Sequence, residues 1–191
     1  KNVVVIGGGD TAMDCVRTAI RQNAKSVTCL YRRDKVNMPG SQREVQNAEE
    51  EGVNFQWLSA PHALLGDGSV QAVRARRIHL GQPDETGRQV PQIIENSDFD
   101  VDADLVIKAL GFDPEDLPVM FDHPELGVSK WGTIQIDWKT MMTSSPGVFA
   151  AGDIVRGASL VVWGIRDGRD AAEQMDKYIQ AEQRGESLAA S

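Results

Sequence analysis

The chain has 191 residues, enough for one domain or two small ones, and its 41% hydrophobic and 25% charged content is that of an ordinary globular protein. A net charge of −8 leaves no basic face for broad nucleic-acid binding, and no apolar run is long enough to span a membrane. Two cysteines, Cys15 and Cys29, form no C-x-x-C, so the chain holds neither a redox disulfide motif nor an iron–sulfur ligand set. Both are expected as core residues of a cytoplasmic protein, since no secretory or lipidation signal is visible.

The first element is a strand over Lys1–Ile6. Its unbroken β-branched run, Val3-Val4-Val5-Ile6, suits a parallel sheet covered on both faces. Gly7-Gly8-Gly9-Asp10-Thr11-Ala12 follows, which read from Gly7 is G-x-G-x-x-A. Here Gly7 allows a tight turn, Gly9 lets backbone approach a pyrophosphate, and Ala12 lets helix and strand pack closely. The next helix carries Ala12, Val16, Ala19 and Ile20 on one stripe and turns its positive end toward the anion. Asp10 and Thr11 stand at the helix start, either as caps or, for Thr11, within reach of a phosphate oxygen. Ser26–Tyr31 is the second strand, and about twenty positions past the motif comes Arg32-Arg33 rather than the acidic residue of an NAD site. Two guanidinium forks there suit the 2′-phosphate of NADP. Alternate residues of an extended segment face opposite ways, so which arginine makes the contact stays open.

Met38-Pro39-Gly40 breaks the chain, and Ser41 with Glu44 reads as a capping box for a helix ending near Gly52. Glu49-Glu50-Glu51 at its end opposes the helix dipole and predicts fraying. From Val53 to about Phe99, short apolar runs between the turn clusters Gly66-Asp67-Gly68 and Gln82–Gly87 predict a β-meander rather than further βαβ units. Ala103–Leu110 returns to a buried strand ending at Gly111, which is either a turn glycine or a point of passage near a nicotinamide. The proline-marked stretch Phe112–Pro118 then divides the chain into 1–111, a nucleotide-binding domain, and 112–191. The second region has predicted strands near Thr133–Asp137 and Val148–Ala151 and a helix from Leu160 to Arg184.

A second motif, Ser145–Asp153, places Gly152-Asp153 after a short apolar strand, where one carboxylate can be aimed at a ribityl hydroxyl. A bare strand-end turn is the competing reading. Gly157-Ala158-Ser159 then opens a helix, and Ser159, Leu160 and Val161 at its positive end can face the flavin's N1 and O2.

Taken together, Val3–Asp14, Tyr31–Glu51, Ala103–Pro114 and Gly147–Ala172 resemble the small (β) subunits of NADPH-dependent glutamate synthase. These belong among the flavoprotein reductases in which an NAD(P) domain is inserted between two halves of an FAD domain. The resemblance implies an α/β fold, with a Rossmann-like NADPH domain followed by the C-terminal half of a Rossmann-like FAD domain. It implies that Gly7, Gly8, Gly9, Asp10, Thr11, Ala12, Arg32, Arg33 and Gly111 serve NADPH, and that Gly152, Asp153, Ser159, Leu160 and Val161 serve FAD. It further implies a cytoplasmic enzyme in which NADPH reduces FAD. Electrons then leave through iron–sulfur clusters to the large (α) subunit, for glutamate formation from glutamine and 2-oxoglutarate.

The family's cysteine-rich segment and first FAD half are not in this sequence, and Lys1 stands where an initiator Met would. The chain is therefore expected to be a C-terminal piece whose partners are that N-terminal segment and the large subunit. Its surface at Val148–Ala151 and Leu160–Trp163 is expected to be exposed or self-associated. Two other readings share the motifs: an electron-input module for a different acceptor, and a non-catalytic NADP-binding module.

No catalytic residue and no metal ligand is assigned, because hydride transfer from nicotinamide to flavin is cofactor chemistry. His62, His79 and His123 show no ligand spacing and no serine or cysteine partner. Trp57, Trp131, Trp138 and Trp163 read as packing aromatics, Trp163 with the alternative of packing near the flavin.

Overall fold

The computed structural model describes residues 1–83, 87 and 89–185. The chain divides into two compact units, the first Lys1–Gly111 and the second from Phe112 on.

The first unit is built on a four-stranded parallel sheet formed by β1 (Asn2–Ile6), β2 (Ser26–Leu30), β3 (Asn54–Gln56) and β7 (Leu105–Lys108), in the order β3-β2-β1-β7. Between β3 and β7 the chain makes a separate antiparallel sheet of β4 (Ser59–Leu65), β5 (Ala72–Pro83) and β6 (Gln89–Asp102). The apolar run of β1 is continuous because both its faces are covered. Val3 and Val5 lie in one buried cluster with Ala12, Met13 and Val16 of α1 (Asp10–Arg21) and with Val45 and Ala48 of α2 (Gln42–Glu50). Val4 and Ile6 lie in a second cluster with Val73 and Ala75 of the antiparallel sheet. Side chains alternate along a strand, so helices cover one face and the meander covers the other.

The meander therefore begins at Ser59 and not at Val53. Asn54–Gln56 pairs parallel to β2, with Cys29 beside Phe55, and α2 is the crossover of a second βαβ unit. Three residues are too few for a period to show. The strand is secured instead by Phe55 stacking on Trp57, at 4.7 Å between ring centroids and 6° between planes. Gly66 makes the first meander turn at φ +144°, where a Cβ would stand 1.9 Å from the Ser69 carbonyl oxygen. In the second predicted turn, residues 84–86 lie outside the described residues.

The capping box does not form. Ser41 occupies the N-cap of α2 with no side-chain hydrogen bond, and the Glu44 carboxylate pairs instead with Arg17 on α1. A charge-assisted bond to a guanidinium outcompetes a bond to one backbone N–H. The C-terminal carboxylates are drawn off in the same way. Glu51 accepts from Arg17 (2.7 Å) and Arg21 (3.0 Å), and Lys35 donates to Glu49 (2.6 Å). The Arg17 hydrogen bond holds the Glu51 carboxyl below its ordinary range.

In the second unit, α3 (Leu117–Met120) is capped by Asp116, whose carboxylate accepts from the Val119 N–H. The expected strands at Thr133–Asp137 and Val148–Ala151 are present only as isolated antiparallel bridges, Val128 with Ile134, Ile136 with Thr143 and Met142 with Phe149. Among the described residues of this unit no longer strand offers them a ladder to join. Buried Leu126, Ile134, Met141 and Met142 hold this bridged region together. A single turn, α4 (Asp153–Arg156), and the long α5 (Val161–Gln183) complete the unit. Phe149 meets Tyr178 of α5 edge-on, 5.8 Å between centroids. No helix among the described residues is long and apolar enough to cross a membrane.

Candidate dinucleotide-binding site

The three glycines between β1 and α1 do three different things. Gly7 sits at φ +147°, and a Cβ there would lie 2.1 Å from the Ala109 carbonyl oxygen, so the turn against the end of β7 admits no side chain. A Cβ on Gly8 would lie 2.4 Å from the Tyr31 ring. Gly9 is extended (φ −89°, ψ −179°), is the N-cap of α1, and would carry a Cβ with nothing within 4 Å. Packing does not demand a glycine there. The open space lies where the first N–H groups of α1 have no intrahelical acceptor.

Ala12 is fully buried, and the Ala12 and Met13 N–H groups donate to the Gly9 carbonyl oxygen (2.9 and 3.2 Å). Thr11 is exposed at the same helix end. Asp10 is not a cap. Its Oδ1 accepts from the Ser41 N–H (2.8 Å), and the Gly40 N–H donates to the Gly8 carbonyl (3.0 Å). The chain break at Met38–Gly40 is therefore a brace against the glycine loop, and a Cβ on Gly40 would come 3.1 Å from the Gly8 oxygen. Sequence reading saw the break but had no signal for its target.

Arg32 and Arg33 leave the carboxyl end of β2, beside the glycine loop that leaves the carboxyl end of β1. Ligands settle at this end of an open parallel sheet. The two arginines are not equivalent. Arg32 is exposed. Arg33 is 7% exposed, donates through Nη2 to the Gln89 carbonyl of β6 (3.0 Å), and has a buried Nε without a hydrogen-bond partner. An open cradle at a helix N-terminus, a mobile-length cation on the rim and a buried guanidinium with an unmet donor together fit a phosphate-rich dinucleotide. Gly111, at φ +93° with open space around its Cβ position, follows β7 at the same end of the sheet.

In the second unit the Gly-Asp turn is sharp. Gly152 has φ +78° and ψ −149°, and Asp153 is exposed as the first residue of α4. Ser159, Leu160 and Val161 are all exposed. The N-cap of α5 is Leu160 rather than Ser159, with no side-chain cap, so its first N–H groups are left for water or a ligand. Sequence reading passed over Arg156 and Asp167, the latter 2% exposed on α5. Arg156 donates to it twice, Nε to Oδ2 at 2.5 Å and Nη2 to Oδ1 at 2.8 Å. This pairing holds the Asp167 carboxyl below its ordinary range.

His123, expected to lack a serine partner, has one. Its Nε2 lies 2.6 Å from Ser145 Oγ and its Nδ1 3.1 Å from a Glu125 carboxylate oxygen. Ser145 is buried, and its backbone is bonded to Thr143, so this chain of groups ties two loops together.

Residues 1–184 match the pyridine nucleotide-disulphide oxidoreductase family. The chain is 70% identical, over 95% of its length, to the glutamate synthase [NADPH] small chain of Azospirillum brasilense, of which it covers 38%. To the glutamate synthase [NADPH] small chain of Escherichia coli it is 46% identical over 94% of its length, covering 39% of that protein. It thus spans about two fifths of the length of these curated relatives. Among solved structures, the His57Gln mutant of FprA from Mycobacterium tuberculosis matches with a TM-score of 0.79, over 99% of this chain and 55% of that one. At 15% identity that likeness concerns the fold alone. A family match that runs through both units, from the first strand to the end of α5, leaves one assignment: the chain belongs to the pyridine nucleotide-disulphide oxidoreductases.

Proposed function

We propose that the first unit binds NADPH and that the second supplies one half of an FAD site, within an oxidoreductase of the glutamate synthase small-chain type. The observation that carries this reading is the open cradle over Gly9 beside Arg32 and Arg33. The pyrophosphate lies against the Gly7–Gly9 loop and the first turn of α1, with Thr11 at its edge, while Asp10 braces the loop. Arg32 reaches the 2′-phosphate, and Arg33, anchored on Gln89, holds the strand end and completes its unmet Nε donor on the same anion. Gly111 gives the nicotinamide end room. Asp153 meets the ribityl chain of FAD after the sharp turn at Gly152. The uncapped start of α5, at Ser159, Leu160 and Val161, lays its positive end against the flavin.

When bound, FAD accepts a hydride from NADPH and can pass on electrons singly. The residues named here bind, orient and set the local charge, and none needs to act as acid, base or nucleophile. Iron–sulfur clusters carried outside this chain would take those electrons on to a large subunit that forms glutamate from glutamine and 2-oxoglutarate, in the cytoplasm.

Calorimetry on this chain tests the first part. NADPH binds at micromolar concentration and NADH at least tenfold more weakly, and equal affinities would remove the 2′-phosphate assignment. Complementation of a glutamate auxotroph by the full-length protein together with a large subunit tests the second. Growth supports the glutamate synthase reading, and NADPH-dependent dye reduction without growth assigns the electrons to another acceptor.

A further inference from the structure

Asp167 is a buried carboxylate that the reaction does not use. It lies in the second turn of α5, a helix otherwise buried mainly through alanines. Its two oxygens are occupied from one side by the guanidinium of Arg156, the last residue of α4, in a two-point fork. The Gly152 backbone N–H faces the same carboxylate and helps to hold it in its charged form. The Arg156 guanidinium is itself held over two indole rings, 4.8 Å from the Trp138 centroid and 5.2 Å from that of Trp163. One side chain on α5 therefore holds the last residue of this four-residue turn and faces the backbone that leads into its first, Asp153.

We propose that Asp167, acting with Arg156, is the positioning residue of the flavin half-site: it fixes the Gly152–Asp153 turn against the start of α5, so that the Asp153 carboxylate and the first N–H groups of α5 are presented as one rigid surface. The inference rests on the reading that Asp153 and the start of α5 face FAD. The turn needs such a grip. Gly152 has a backbone conformation that only glycine adopts readily, Gly157 closes α4 at φ +80°, and both have open space where a Cβ would be. Little packing restrains a four-residue helix between two such glycines, whereas a buried carboxylate that takes its last residue in a two-point charge-assisted fork does restrain it. Trp163 enters the same arrangement as a shelf for Arg156.

The test uses the full-length, FAD-loaded protein and three variants. In Asp167→Asn the side chain keeps its shape and one acceptor but loses the charge that holds Arg156. The FAD Kd rises at least tenfold and the visible circular dichroism of the bound flavin changes, while the NADPH Kd stays within twofold. Arg156→Lys keeps the charge and loses the two-point fork, and it shifts the same two readouts by a smaller amount. This second variant carries the test should Asp167→Asn melt early. Asp153→Ala checks the underlying reading. If it weakens FAD binding while both Asp167→Asn and Arg156→Lys bind FAD with the wild-type Kd and dichroism, the positioning role is overturned and the flavin reading stands. If Asp153→Ala leaves FAD binding unchanged, the turn does not face the flavin and the inference falls with that reading.

Discussion

Replacing Gly9 by valine separates the role of the glycine loop in binding from its role in folding. The backbone at Gly9 is extended, a conformation any residue adopts, and a Cβ built there meets nothing within 4 Å. The folded state therefore has room for the Cβ, and the change costs about 1 kcal/mol, because glycine is a better N-cap than valine. The bound state does not accept the side chain, because the isopropyl group fills the space in front of the first turn of α1. Charge-assisted hydrogen bonds from backbone N–H to phosphate contribute about 1.5–3 kcal/mol each, so loss of two costs about 3–6 kcal/mol. That is a weakening of roughly 100-fold to more than 10,000-fold in Kd. Titration calorimetry with NADPH reads the affinity, and a thermal melt of the same samples reads the fold. Gly7→Ala is the contrasting control. At φ +147° with the Ala109 carbonyl 2.1 Å from its Cβ, it must shift β7 or the turn, and its melting temperature drops by several degrees. A folded Gly9→Val protein with wild-type affinity for NADPH would refute the claim that this space receives the phosphates.

The two arginines divide their effects. Arg32→Ala weakens NADPH binding by about 1.5–3 kcal/mol and leaves NADH binding and the melting temperature unchanged, because the residue is exposed. Arg33→Ala also lowers stability, by about 0.5–1.5 kcal/mol, since it removes the donor to the half-buried Gln89 carbonyl; equal melting temperatures for the two variants would contradict this division. Burial pushes the Cys29 thiol up to about 12, whereas Cys15 is only half-buried. Iodoacetamide at pH 8 therefore alkylates Cys15 first, and mass spectrometry of peptides identifies the site. A raised folded-state value means that the Cys29 contribution to stability is full below the ordinary thiol value, near 9, and is lost as pH rises toward 12. Cys29→Ala flattens the fall in melting temperature over that range, and an unchanged slope would show that Cys29 is not its source.

The glycine motif, the strand before it and the helix after it were legible in the sequence because each is a local pattern. A β-branched run, a turn that only glycine can make and a 3.6-residue stripe all declare themselves within about twenty residues. The arginine pair was legible as two basic residues at the carboxyl end of β2. Which arginine is free was not, because the answer depends on Gln89 of β6, 56 positions away. The third parallel strand escaped because Asn54–Gln56 is too short to show a period and draws its identity from pairing with β2. Ser41 and Glu44 matched a capping box, yet Arg17 on the neighbouring helix offered Glu44 a stronger partner.

The sequence by itself determined the local backbone: where glycine is needed, where helices begin, and which strand is covered on both faces. Only the tertiary structure decided the partners of the charged groups, namely Asp10 on Ser41, Arg33 on Gln89, His123 on Ser145 and Asp167 on Arg156. A backbone pattern is set by sterics within a few residues, whereas a long charged side chain takes whichever partner the fold brings within about 3 Å. No local rule specifies which one that will be.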